Sequence, residues 1–269
     1  MSSEAPSLGG AAGSGEQPRL RWLREVWAST LGKKILVAMT GVLLAGYVIL
    51  HALGNLKGLQ GPGDGDPAID KYAEFLRTVG GPAIPRSGVL WIVRGVLLLA
   101  LVVHVVGVTQ LIKRNRAARP AHAKVVQRSL SSRTMAYSGF LLLAFIVFHV
   151  LQFTTLTIHP TPLVQGSVYA NLYYTFQEWW LVAIYVAAMV ILFFHLRHAL
   201  WSLLQTLGWE KPNRNPTFRR GATGTAVLVS GFFALIPILF FAGAMPAPDS
   251  GGSASGSSAV ASTGAGGAP

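Results

Sequence analysis

Apolar residues run almost unbroken through five stretches of this chain, near residues 35–56, 88–112, 134–158, 180–207 and 222–244, and polar residues collect between them. A helix needs about 20 residues to cross a hydrocarbon core. The pattern therefore predicts an all-α membrane protein: five transmembrane helices forming one bundle over 19–245. Residues 1–18 and 246–269 are rich in Gly, Ser, Ala and Pro, with too little bulk to fold, and read as disordered tails. The first apolar run starts only after Lys33 and Lys34, so no cleavable signal peptide is expected.

Composition agrees. The chain of 269 residues is 51% hydrophobic and 12% charged, about half the charged share of a soluble domain. A net charge of +12 raises the question of nucleic acid, but its distribution answers it. The segment up to Lys34, the 113–133 loop (Lys113, Arg114, Arg116, Arg119, Lys124, Arg128, Arg133) and the 209–220 loop (Lys211, Arg214, Arg219, Arg220) are basic. Segment 57–87 balances its charges, and 159–179 has no Lys or Arg. Alternate loops are thus basic, as the positive-inside rule requires of a multi-pass protein in the cell membrane. The rule places the N-terminus in the cytoplasm and the C-terminus outside. The chain has no cysteine, so it cannot supply a thiolate-held iron–sulfur cluster, a thioether-linked haem or a disulfide.

Five of the seven histidines fall inside the predicted spans: His51, His104, His149, His195 and His198. One such residue is usually a hydrogen-bonded packing residue. Four consecutive helices carrying at least one each point further, because neutral imidazole is a good axial ligand for haem iron and a bundle can clamp a porphyrin between two of them. At a rise of about 1.5 Å per residue, His51 and His149 lie about 24–25 Å from the basic edge, while His104 and the helix-four histidines lie about 14–20 Å from it. The histidines sort into an outer pair, His51 with His149, and an inner pair, His104 with either His195 or His198. Two stacked haems would fit. Gly54, Gly107 and Ala199, three or four residues after a histidine, could give a porphyrin room, although such residues more often serve close helix packing.

These residues stand in segments that resemble a known family, the di-haem cytochrome b anchor of succinate dehydrogenases and fumarate reductases with a single five-helix membrane subunit. The likeness runs from Ser29 to Ala244. Its sharpest parts are STLGKKILVAMTGVLLAGYVILHALGNLKG (29–58) and FHLRHALWSLLQTLGW (194–209). RGVLLLALVVHVVGVTQLIKRNRAARP (94–120) and TMAYSGFLLLAFIVFHV (134–150) add to it. The resemblance implies two haem b, the distal one held by His51 and His149 and the proximal one by His104 and His195. In the family register His195 is the ligand, followed by Ala199, Leu200, Trp201, Gly208 and Trp209; His198 is its rival. It implies a flavoprotein and an iron–sulfur subunit as partners, with the succinate site on another chain. A membrane quinone, menaquinone by family habit, is the electron acceptor or donor. Fumarate reductases of the family can have a glutamate two residues before the helix-four ligand. Here that position is Phe193, which favours succinate oxidation over fumarate reduction.

Other residues carry weaker expectations. Arg94 and Arg197, the Lys or Arg residues inside the spans, are candidate partners for haem propionates, with snorkelling as the plain alternative. Glu74 is a candidate for proton exchange with quinone, or else a solvated surface acid. Trp91, Trp179 and Trp180 read as headgroup anchors at the outer interface, and His122 and His159 have no assigned role. Rival functions are a cytochrome b serving formate dehydrogenase, hydrogenase or another quinone-linked enzyme, a haem-free proton-coupled transporter, and a purely structural anchor.

Overall fold

The computed structural model describes residues 18–62, 65–118, 130–159, 163, 166–209 and 215–248. These residues fold into helices α1 (Pro18–Ala28), α2 (Thr30–Asn55), α3 (Ala68–Thr78), α4 (Gly88–Ala117), α5 (Leu130–Phe153), α6 (Val168–Thr175), α7 (Trp179–Thr206) and α8 (Asn215–Phe241), with a 3-10 turn at Leu56–Gln60 and no strand among them. Among the described residues, α2, α4, α5, α7 and α8 are the helices long and apolar enough to cross a membrane. The protein is a multi-pass helical membrane protein by that measure. Leu31, Met39, Leu50, Leu98, Leu99 and Phe140 are more than 60% exposed. In water such a surface would aggregate; against acyl chains it is the expected one.

Several predicted edges shift. The helix expected to end at residue 158 stops at Phe153. Leu156 adopts a positive φ of 54°, and the Thr157 hydroxyl and backbone N–H both return to the Leu151 carbonyl, closing the turn. The last span starts at Asn215 rather than 222, since its first turns are polar and hydropathy alone does not see them. Residue 18 belongs to α1 and not to a tail. Pro246 likewise leaves the C-terminal tail, because its carbonyl accepts a 2.8 Å hydrogen bond from Tyr169 Oη and anchors the chain beside α6. The expected tails at 1–17 and 249–269, His122 and the loop residues 119–129 and 210–214 lie outside the described residues.

Both ends of the bundle are tied by specific bonds. At one end the Ser29 side chain caps α2 by accepting from Gly32 N at 2.8 Å. Arg114, near the end of α4, donates to the Ala28 carbonyl at 2.9 Å. At the opposite end α3 and α6 form a lid. Asp70 of α3 accepts from the N–H groups of Val168 (2.6 Å) and Tyr169 (3.0 Å), capping α6 from a distant element. Beneath the lid lies the larger buried apolar cluster, Ile69, Tyr169, Leu172, Phe176, Tyr185, Ile236, Phe240 and Met245. Trp91, Trp179 and Trp180 sit at this end, exposed to different degrees.

Candidate functional site

The four helices that carry one histidine of each expected pair are α2, α4, α5 and α7. Helix α4 packs mainly on α2 and α5 mainly on α7, while α7 packs most extensively on α8. The apolar windows of α2, α4 and α5 are each only 6% buried, against 28% and 33% for α7 and α8. Each of the four histidines is half-buried.

His51 and His149 face each other near the lid, one turn before their helices end, with ring centroids 5.9 Å apart and planes at 79°. Two imidazoles that share an axial metal have ring centres about 6 Å apart, given a metal–nitrogen bond of about 2.0 Å and about 1.1 Å from nitrogen to ring centre on each side. An edge-on aromatic contact spans the same range, so spacing alone does not decide the chemistry. The hydrogen bonds carry more.

His149 Nδ1 lies 3.2 Å from Tyr185 Oη, and that hydroxyl donates its own proton to Gln152 Oε1 at 2.7 Å. His104 Nδ1 lies 3.3 Å from Thr40 Oγ1 and 3.2 Å from the Val37 carbonyl, while the Thr40 hydroxyl donates to the Leu36 carbonyl at 2.7 Å. His195 Nδ1 lies 3.1 Å from Ser138 Oγ, which donates to the Met135 carbonyl at 3.0 Å. The Val37 carbonyl can only accept, so His104 Nδ1 carries the ring proton and its Nε2 keeps a lone pair. At His149 and His195 a hydroxyl that donates to its own carbonyl partner accepts from Nδ1 and selects the same tautomer. That is the tautomer an imidazole needs to bind a metal through Nε2, selected by the partner of Nδ1. His51 is held differently: Tyr47 stacks on it at 5.4 Å, Phe233 of α8 lies 5.5 Å away, and Asn55 Nδ2 bonds to its carbonyl at 2.8 Å.

His104 meets α2 at Thr40–Gly41, and His195 meets α5 at Ser138–Gly139, where an added Cβ would stand 3.3 Å and 3.5 Å from the respective ring Cε1 atoms. His51 lies eleven residues beyond Thr40, and His149 eleven beyond Ser138, so each outer histidine sits about 16 Å above the contact made by the inner one. Eleven residues is close to three full turns, which puts hydroxyl and histidine on one face. The segments TGVLLAGYVILH (40–51) and SGFLLLAFIVFH (138–149) share a hydroxyl–glycine start and a closing histidine across an apolar stretch. This shared pattern is a sequence signal for the site beyond the histidines themselves.

His195 is the α7 histidine whose ring meets α5, at Ser138 and Gly139. Gly54 and Gly107 have other tasks: their missing Cβ atoms make room for Tyr72 and Val37. Arg94 is exposed with its guanidinium 4.9 Å from the Trp91 ring. Arg197 donates to Thr223 of α8 at 3.0 Å. Glu74 pairs with Arg86 at 2.8 Å and Arg77 at 3.7 Å on the exposed side of α3, a setting that matches a solvated acid.

No group of three or more His, Asp or Glu side chains able to hold a metal occurs among the described residues. His51 and His149 form a two-point pair, and such a site suits a metal whose remaining positions are filled by a macrocycle. The donor set fits haem: imidazoles whose Nδ1 atoms are engaged by neighbouring helices, and glycines where two rings approach a neighbouring helix. The chain matches no family model, no curated protein and no solved structure.

Proposed function

We propose that the chain is the di-haem membrane anchor of a succinate:quinone oxidoreductase, carrying electrons between a cytoplasmic iron–sulfur subunit and a membrane quinone. When bound, the haems would supply one-electron carriers at two levels of the bilayer. His51 with His149 would hold one, and His104 with His195 the other. The chain's own residues bind and orient: Thr40, Ser138 and Tyr185 fix three imidazoles through Nδ1, and the apolar helix faces keep water away. The observation that carries this reading is that His104, His149 and His195 each turn Nδ1 toward a hydrogen-bonding partner on a neighbouring helix, an arrangement that leaves Nε2 for a metal.

Under this reading a flavoprotein and an iron–sulfur protein complete the enzyme, the quinone is menaquinone, and the N-terminus and basic loops face the cytoplasm. The resemblance of the four histidine-bearing segments to the succinate dehydrogenase anchors supports the choice of dehydrogenase. The test is to isolate the native complex and measure haem content together with succinate:quinone activity. A pigmented complex that turns over formate or hydrogen instead would move the chain to another quinone-linked dehydrogenase. A colourless one would favour a proton-relaying transporter.

A further inference from the structure

Tyr185 is 7% exposed and Gln152 fully buried. The phenol ring is clamped by Phe145, Phe148, Phe153 and Phe176, with centroids 5.1–6.3 Å away. Its hydroxyl joins His149 Nδ1 to Gln152 Oε1, and the Gln152 Nε2 beyond has no partner. A buried amide with a donor left over costs stability relative to an apolar side chain. The amide is therefore not explained by stability. Its evident effect is to give the Tyr185 proton a destination.

The direction of this chain matters. If the amide were reversed, Nε2 of Gln152 would donate to the phenol, the phenol would donate to His149 Nδ1, and the imidazole proton would be forced onto its own Nε2. That tautomer cannot bind a metal through Nε2. With Oε1 facing Tyr185 the order runs His149 to Tyr185 to Gln152, each group donating to the next.

We propose that Tyr185, oriented by Gln152, is the positioning residue of the outer ligand His149 and tunes the outer redox centre without acting on the inner one. This rests on the haem reading above. A donating Nδ1–H makes imidazole a stronger base toward the metal, which favours the oxidised state. Removing the acceptor makes the outer centre easier to reduce. Ser138 stands in the same relation to His195 and hence to the inner centre.

The experiment is a redox titration of the visible spectrum of the purified, haem-loaded full chain. Tyr185→Phe should favour reduction of one of two components by about threefold, or about 30 mV at 59 mV per tenfold for a one-electron couple. Gln152→Leu should move the same component in the same direction by less, and Ser138→Ala should move only the other. The inference is overturned if Tyr185→Phe leaves both components in place, or if Tyr185→Phe and Ser138→Ala move the same one. A wild-type chain without pigment would overturn the haem reading itself; a pigmented wild type with unmoved Tyr185→Phe overturns this inference alone.

Discussion

Gly41 offers a perturbation whose size can be worked out beforehand. A Cβ at this position would lie 3.3 Å from His104 Cε1 and 3.6 Å from its Nδ1. Carbon atoms rest at about 3.5–4.0 Å, so Gly41→Ala must displace the ring, or the helix, by about 0.2–0.7 Å. Metal–ligand distances hold to about ±0.2 Å, so even one methyl group strains the inner site, and a leucine expels the ring from it. At Gly139 the corresponding Cβ sits at 3.5 Å from His195 Cε1, within ordinary contact, so alanine fits and only a larger side chain interferes. Gly95 lies on the face of α4 opposite His104, and a Cβ there meets nothing within 4 Å. Haem extracted per chain is the assay. Gly41→Leu and Gly139→Leu should each lose one haem of two. Gly41→Ala should keep both with weakened retention of one, about tenfold in affinity by the usual cost of a disturbed outer partner. Gly139→Ala and Gly95→Leu should keep both unchanged. Full pigment in Gly41→Leu would refute the placement of His104 as a ligand.

Two further outcomes are expected. His198→Ala should retain both haems, because His195 is the histidine held by Ser138 on the neighbouring helix; loss of one haem from His198→Ala, with His195→Ala unaffected, would reverse the assignment. Asp70→Ala should lower the thermal stability of the detergent-solubilised protein by about 1 kcal/mol, the usual cost of a lost cap, while Asp70→Asn keeps an acceptor for Val168 and Tyr169 and should cost little. Burial pushes the Asp70 carboxyl up from its ordinary value, outweighing the two backbone hydrogen bonds that oppose the shift. A raised folded-state value means that stability is fullest below the unfolded value near 3.8 and declines as pH rises through the folded one. Asp70→Asn should abolish that decline, which unfolding curves at a series of pH values would show.

The spans were legible in the sequence because they follow from counting residues along single helices, and His51 meets His149 as their equal counted depths allow. Helix ends were less legible. The stop at Phe153 depends on the positive φ of Leu156 and on threonine hydroxyls folding back, neither of which hydropathy registers. Helices α3 and α6 escaped because they are short and do not span; the bond from Asp70 to the N-terminus of α6 links residues about a hundred positions apart. The orienting hydroxyls were hidden for the same reason. Thr40, Ser138 and Tyr185 lie on different helices from the histidines they hold, and their meeting depends on which helices pair and how each is rotated. One signal was available all along: a hydroxyl–glycine step eleven residues before a histidine, written twice, at Thr40–Gly41 and Ser138–Gly139.

The most direct measurement of the central claim is the haem stoichiometry and visible spectrum of the purified chain produced with ample haem. The account predicts two low-spin bis-imidazole haems per chain, one lost on His149→Ala and the other lost on His104→Ala. A colourless protein, or one whose pigment survives both substitutions, would contradict it.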